Sequence, residues 1–227
     1  LYLRQYEEET SLRVHLIVDG SNSMSYAHGK VSKYRFAASC AAALAYITVH
    51  QQDAVGLALF DESCRAVIPP HGGAEQLRII CRQLAQHQPA AKTDMAATLH
   101  HLAEQAKRRG VVIIFSDLFD DCDKLKAALA HFRRRRHDVI VYQVLDRAEL
   151  DFPFREVGAF EDLESGERIV TSPKDIRASY QEAIEEFLYR CRQVCAGLDV
   201  EHVMALSDQE PVDLVVRHLH QRALAGR

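Results

Sequence analysis

The chain has 227 residues, of which 48% are hydrophobic and 26% charged, a balance typical of a globular protein rather than a disordered or fibrous one. Its formal net charge of −4 argues against a general nucleic-acid-binding protein, because such proteins carry an excess of basic residues. The longest apolar runs fall far short of the ~20 residues that span a bilayer, and the chain does not begin like a signal peptide. We therefore expect a cytoplasmic location and no membrane contact from this segment.

The first informative stretch is an apolar run followed by a short polar loop. Residues 14–18 read VHLIV, which predicts a strand buried on both faces, as in a parallel sheet between helices. Asp19, Ser21 and Ser23 follow at once, and ligands in such folds lie at the carboxyl ends of the strands. Carboxylate and hydroxyl oxygens suit a hard cation, Mg²⁺ or else Mn²⁺ or Ca²⁺, better than Zn²⁺.

Helical and strand periodicities alternate along the rest of the chain. Helices are predicted over residues 32–50, 75–86, 95–109, 124–136, 173–196 and 211–223, and strands over 13–18, 55–60, 64–68, 111–115, 139–145 and 200–205. The 64–68 strand follows its predecessor too closely for a crossover helix, so we expect an antiparallel edge hairpin that the prolines and glycines of 69–73 end. This order predicts a doubly wound α/β fold, a mostly parallel sheet with one antiparallel edge strand and helices on both faces.

The chain shows no linker, repeat or low-complexity segment, so we predict a single domain over 1–227. Residues 1–12 read as a lead-in segment, and 151–171, which lack a helical period, read as a small β insertion. The chain opens without a methionine, and we expect it to be the carboxyl-terminal part of a longer protein. Six cysteines without zinc-site spacing indicate reduced thiols.

Two later loops carry the same kinds of side chain as the first. The strand 111–115 ends in Ser116 and Asp117, and Thr93 and Asp94 precede the helix predicted from residue 95. Because neighbouring parallel strands end at the same edge of a sheet, we expect these residues to converge on Asp19, although they lie about a hundred positions away. Such a set could hold one cation and leave a coordination position open.

This set of residues resembles the metal-ion-dependent adhesion site of von Willebrand factor type A domains. The five matching positions are Asp19, Ser21, Ser23, Thr93 and Asp117. The resemblance implies that they bind Mg²⁺ or Mn²⁺, Asp117 through water, and that an acidic side chain of a protein partner completes the coordination shell.

Three more residues are expected beside the ion. Asp94 is better placed as a helix cap or as an acceptor that orients a ligand, and Ser116 precedes Asp117. Lys92 departs from the glycines usual in the family, and we expect it either to weaken cation binding or to help hold an acidic ligand.

A narrower resemblance covers nearly the whole chain. The segments LRQYEEET, IVDGSNSM, KYRFAASCAAALAYI, VIIFSDLFDD, VIVYQVLD followed by ELDFPF, and LESGER are similar to those of a bacterial group labelled domain of unknown function fifty-eight. Members of that group are often encoded beside MoxR-type AAA+ ATPases. The resemblance implies a binding module that cooperates with such an ATPase in assembly or chaperone-like work.

Two other interpretations stay open. An aspartate followed by serines at a strand end is often only a turn or a helix cap. A metal-dependent hydrolase with Ser21 or Ser23 as nucleophile is the alternative function, although the sequence places no histidine or lysine base beside them. We expect a protein that acts by binding and is not an enzyme.

Overall fold

The computed structural model describes residues 11–61, 64–89, 95–156, 158–161, 163 and 168–226. The strands are β1 (Arg13–Asp19), β2 (Ala54–Phe60), β3 (Cys64–His71), β4 (Val111–Ser116), β5 (Asp138–Leu145), β6 (Gly158–Glu161), β7 (Arg168–Thr171) and β8 (Glu201–Leu206). The helices are α1 (Lys33–His50), α2 (Ala74–Gln86), α3 (Met95–Gln105), α4 (Cys122–Arg134), α5 (Arg147–Asp151), α6 (Pro173–Gly197) and α7 (Pro211–Leu224).

Six strands form one sheet in the order β3-β2-β1-β4-β5-β8. Neighbours pair in parallel except β2 and β3, which are antiparallel at the edge. The predicted fold class is therefore confirmed. β1 lies inside the sheet, and its side chains alternate between two cores: Leu16 and Val18 pack on one face and Ile17 on the other.

Helices cover both faces of this sheet. α1, α2 and α7 pack on the face of Leu16, and α3, α4 and α6 pack on the face of Ile17. α1 presents the fully buried Ala37, Ala41 and Ala45 to the sheet, and these small side chains let the helix backbone lie close to the strands.

Two predicted ends were wrong. β3 continues through Pro69 and Pro70 to His71. The two prolines lie at the sheet edge, where the pairing of β3 with β2 shifts register between Val55 and Leu57, and strands accept proline at edges and at such irregularities. α3 ends at Gln105, so Gly110 does not stop it. Gly110 instead lies against β1, where an added Cβ would be 2.3 Å from the Arg13 carbonyl oxygen.

The segment predicted as a small β insertion, 151–171, holds one pair of strands, and an unpredicted helix comes before it. β6 and β7 pair antiparallel as a separate two-stranded sheet. The short helix α5 precedes them and begins at a capping box. The Asp146 side chain accepts a backbone N–H from the first turn of the helix, and the Glu149 side chain accepts the Asp146 N–H. Among the described residues, no helix is both long enough and apolar enough to cross a membrane.

Candidate metal centre

The carboxyl ends of β1 and β4 form the centre of the candidate site. The chain leaves β1 toward β2 on one side, while β4 lies on the other, so a crevice opens between their ends. Val18 pairs with Phe115, which places the next residues, Asp19 and Ser116, side by side. The Ser116 hydroxyl donates a hydrogen bond of 2.6 Å to Asp19 Oδ2.

The loop after β1 folds into a compact turn that aims the two serines at each other. Asp19 Oδ1 accepts the Ser21 N–H at 2.9 Å, and residues Asn22–Ser25 form a single 3₁₀ turn anchored by the fully buried Met24. The Ser21 and Ser23 Oγ atoms lie 3.0 Å apart. Adjacent ligands in an octahedral Mg²⁺ shell are about 2.9 Å apart, given Mg–O bonds of about 2.0–2.1 Å. The two hydroxyls therefore have the spacing of adjacent magnesium ligands.

Position 20 requires a glycine, because the side chain of His87 occupies the space that a Cβ atom would need. An added Cβ at Gly20 would lie 2.0 Å from His87 Nε2. His87 Nε2 is buried and has no hydrogen-bond partner in the part of the chain that the structure describes. The sequence did not indicate that a histidine lies here.

Asp19 lies in an environment that resists its negative charge. Burial raises its pKa to about 7, and the nearby charge of Asp117 adds to the effect, although hydrogen bonds from Ser116 and Ser21 oppose it. Asp19 and Asp117 are each only 2% exposed. Two buried carboxylates that repel each other are stabilised when a cation is placed between them.

A buried lysine occupies one side of Asp117. Lys33 Nζ lies 2.9 Å from Asp117 Oδ2 and 2.6 Å from Glu149 Oε1, and its side chain is 0% exposed. Burial alone would lower the pKa of Lys33, but the charges of these two carboxylates outweigh it and raise that pKa above its ordinary value. Lys33 therefore remains an ammonium ion. Asp117 Oδ1 accepts the Phe119 N–H at 3.2 Å, so both of its oxygens are engaged.

We call Asp19, Lys33, Asp117 and Glu149 the charged cluster. When all three carboxylates are ionised they face one ammonium, and the two negative charges left over equal the charge of one divalent cation. In the described ranges no three His, Cys, Asp or Glu side chains are arranged to hold one metal ion, so a site here depends on the serine hydroxyls. The oxygen donors, their spacing and this charge fit Mg²⁺.

The structure brings four of the five predicted ligands to one edge of the sheet. Those four are Asp19, Ser21, Ser23 and Asp117, and Ser116 lies with them as predicted, bonded to Asp19. Thr93, Asp94 and Lys92 lie outside the described residues, and their predicted roles stay predictions.

Sequence reasoning missed Lys33 and Glu149, since the lysine that it expected beside the ion was Lys92. Two features of the sequence could have indicated Lys33 and Glu149. Lys33 follows the helix cap Ser32 and puts a positive charge at a helix amino terminus, where the dipole disfavours it. Asp146 and Glu149 have the spacing of a capping box, which predicts α5 and fixes Glu149 on it.

An apolar groove adjoins the charged cluster. Its cavity measures about 720 Å³, and Ser23, Lys33 and Glu149 lie in its wall. The rest of its lining is mostly aromatic: Tyr26, Phe119, Phe152, Phe154, Phe160, Tyr180 and Phe187. Phe119 is 40% exposed, and its ring lies 5.0 Å from Lys33 Nζ. One open groove thus joins a proposed metal ligand to a large aromatic surface.

Comparison with known sequences gives one family. The sequence model of the family described as "Protein of unknown function DUF58" matches residues 1–187. Uncharacterized proteins of Mycobacterium bovis and Mycobacterium tuberculosis are 25% identical over 170 residues, which cover 73% of this chain and 52% of those proteins. The chain spans about half the length of these curated relatives.

Solved structures with the same fold are similar over nearly the whole chain. An aerotolerance-related membrane protein from Bacteroides fragilis has a TM-score of 0.64 at 16% identity, covering 93% of this chain and 98% of that one. The SpRpn10 VWA domain has a TM-score of 0.52 at 10% identity, covering 91% and 95%. The fold is therefore that of a von Willebrand factor type A domain.

Proposed function

This chain belongs to the DUF58 family, and we propose that it is a divalent-cation-dependent module that binds a protein partner through an acidic side chain. One observation carries the proposal: Ser21 Oγ and Ser23 Oγ lie 3.0 Å apart beside two buried carboxylates at the carboxyl edge of the sheet. This is a set of oxygen donors suited to Mg²⁺ or Mn²⁺.

We assign different roles to the residues around such an ion. Ser21 and Ser23 would be ligands, while Asp19 and Asp117 would supply negative charge and accept hydrogen bonds from metal-bound water. Thr93 is the proposed ligand from the second loop. When bound, the ion supplies a Lewis-acidic point that attracts a carboxylate from outside.

The partner would meet the aromatic groove as well as the ion. Ser23 lies in the groove wall, so an acidic side chain that reaches the ion would bring its neighbouring residues against Phe119 and the other groove rings. Aromatic side chains give interfaces much of their binding energy. A MoxR-type AAA+ ATPase, implied by the family resemblance, is the first partner to test.

We propose binding without turnover. The Ser21 and Ser23 hydroxyls hydrogen-bond to each other, and Lys33 is held as an ammonium ion between two carboxylates, which leaves it without the free electron pair of a base. Hydrolysis of p-nitrophenyl phosphate or acetate by the Mg²⁺-loaded protein, if lost in Ser21→Ala, would favour the hydrolase alternative instead.

Titration calorimetry with Mg²⁺ and Mn²⁺ tests the proposal. Ser21→Ala removes a proposed ligand and should weaken binding by about tenfold or more, since one of few direct ligands is lost. Ser25→Ala is the matched control, because its hydroxyl belongs to the same turn but donates to the Asn22 carbonyl at 2.6 Å instead of lying beside the other two serine hydroxyls. Equal Mg²⁺ affinity in the two variants would contradict the proposal.

The second arm of the experiment adds the partner. Binding of the ATPase should require Mg²⁺ or Mn²⁺, disappear with EDTA and need a higher Mg²⁺ concentration in Ser21→Ala than in the unaltered chain. An interaction that survives EDTA unchanged would show that the partner is recognised elsewhere.

A further inference from the structure

We propose that Lys33 is a tethered counter-cation, which competes with the divalent ion for Asp117 and so sets the metal affinity of the site. The inference deepens the proposed function and rests on it. It assigns a role to a residue that contributes no metal ligand and lies on a helix rather than in the ligand-bearing loops.

The contacts of Asp117 define the competition. Its Oδ2 atom accepts Lys33 Nζ at 2.9 Å and its Oδ1 atom accepts the Phe119 N–H at 3.2 Å. The Lys33 side chain is fully buried, so no water screens its charge from the carboxylate. A divalent ion, or the water bound to it, must therefore share Asp117 with an ammonium that is already in place.

Glu149 is the second carboxylate that pairs with Lys33. Its Oε1 atom accepts Lys33 Nζ at 2.6 Å, while its Oε2 atom accepts the Asp146 N–H at 2.7 Å. The capping box holds this carboxylate still, so the ammonium keeps one partner when it yields Asp117 to the ion. One cation between two carboxylates can shift toward either of them, according to whether the metal is present.

Two substitutions should change Mg²⁺ affinity in opposite directions. Lys33→Met keeps an unbranched apolar stem but removes the competing charge, so Mg²⁺ should bind about tenfold more tightly or better. Glu149→Gln keeps the size of the side chain and an oxygen that can accept the Asp146 N–H. It removes the negative charge that pairs with Lys33, so the ammonium pairs with Asp117 more strongly. Mg²⁺ should then bind about tenfold more weakly.

Matched variants separate this role from general charge and from folding. Lys30→Met removes an equal charge from an exposed position in the same loop region and should change Mg²⁺ affinity by no more than about twofold. The double variant Lys33→Met with Glu149→Gln removes the ammonium together with one of its two carboxylates, so that Asp117 alone of the pair is left without the lysine. It should bind Mg²⁺ more tightly than the unaltered chain.

The measurement is Mg²⁺ calorimetry on the unaltered chain and the four variants, with circular dichroism confirming that each is folded. If Lys33→Met does not fold, the double variant and Glu149→Gln still give opposite predicted signs. Unchanged or weaker affinity in Lys33→Met or the double variant, while the unaltered chain binds Mg²⁺, overturns this inference alone. Binding by Lys33→Met but not by the unaltered chain upholds the inference and contradicts the proposed function, and no binding by any variant contradicts both.

Discussion

Asp19→Asn should stabilise the metal-free protein while abolishing its metal binding. Burial and the charge of Asp117 raise the Asp19 pKa from its ordinary 3.8 to about 7. The folded state therefore binds this proton more tightly than the unfolded state does. The resulting loss of stability begins above pH 3.8, grows until about pH 7 and is then complete.

The size of the effect follows from the pKa shift. About three pH units at 1.36 kcal/mol each give a penalty of about 4 kcal/mol at pH 8. Asparagine removes this penalty and can still accept the Ser21 N–H. The charge-assisted part of the bond from Ser116 is already included in the pKa shift, so the further loss is that of a neutral hydrogen bond to Ser116, worth about 1–2 kcal/mol. The variant should therefore be more stable than the unaltered chain by about 2–3 kcal/mol at pH 8 in EDTA, and less stable by about 1 kcal/mol at pH 4, where little of the penalty has developed.

Urea denaturation from pH 4 to 8, with EDTA or with Mg²⁺, measures both halves of this prediction. Mg²⁺ at about a hundred times its dissociation constant should stabilise the unaltered chain by about 2.7 kcal/mol and leave Asp19→Asn unchanged. Asp123→Asn, at an exposed position on α4, should shift stability by no more than about 0.5 kcal/mol. The reasoning is refuted if Asp19→Asn is the less stable protein at pH 8 in EDTA.

Three further predictions concern the groove, the core and the β1 turn. Phe119→Ala should weaken binding of the ATPase by about tenfold and leave Mg²⁺ affinity unchanged, because the ring is 40% exposed in the groove; equal ATPase affinity by calorimetry would contradict this. Tyr142→Phe removes the buried hydroxyl bonded to His218 and should lower the free energy of unfolding, measured with urea, by about 1–2 kcal/mol. An unchanged free energy of unfolding would show that this bond is dispensable for stability. Gly20→Ala places a Cβ against His87 and should lower the free energy of unfolding, measured with urea, by about 1–3 kcal/mol. Adding His87→Ala should restore most of that stability, and a double variant no more stable than Gly20→Ala would exclude this clash as the cause.

The sheet was predictable because its strands carry strong local signals. The uncharged run before Asp19 and the VVIIF run of β4 read as strands buried on both faces, and they are. Asp19 and Asp117 then follow at their ends, so the parallel pairing of β1 with β4 brings the two carboxylates together. Chain order and strand burial were enough to predict this part of the site.

The charged cluster was not predictable in the same way because its members come from unrelated elements. Lys33 begins α1 and Glu149 lies on α5, and their meeting at Asp117 depends on how these two helices pack around the strand ends. β3 shows a similar limit, since Pro69 and Pro70 read as a strand end until the strand is known to lie at an edge of the sheet.

The most direct test of the account is to locate the cation. Crystals grown with Mn²⁺ and measured at its absorption edge would show the ion by anomalous scattering. We expect one peak about 2.2 Å from both Ser21 Oγ and Ser23 Oγ, a distance ordinary for oxygen ligands of such ions. A fully loaded crystal with its Mn²⁺ elsewhere, or with none at the end of β1, would contradict the central claim that this edge of the sheet is a metal-dependent binding site.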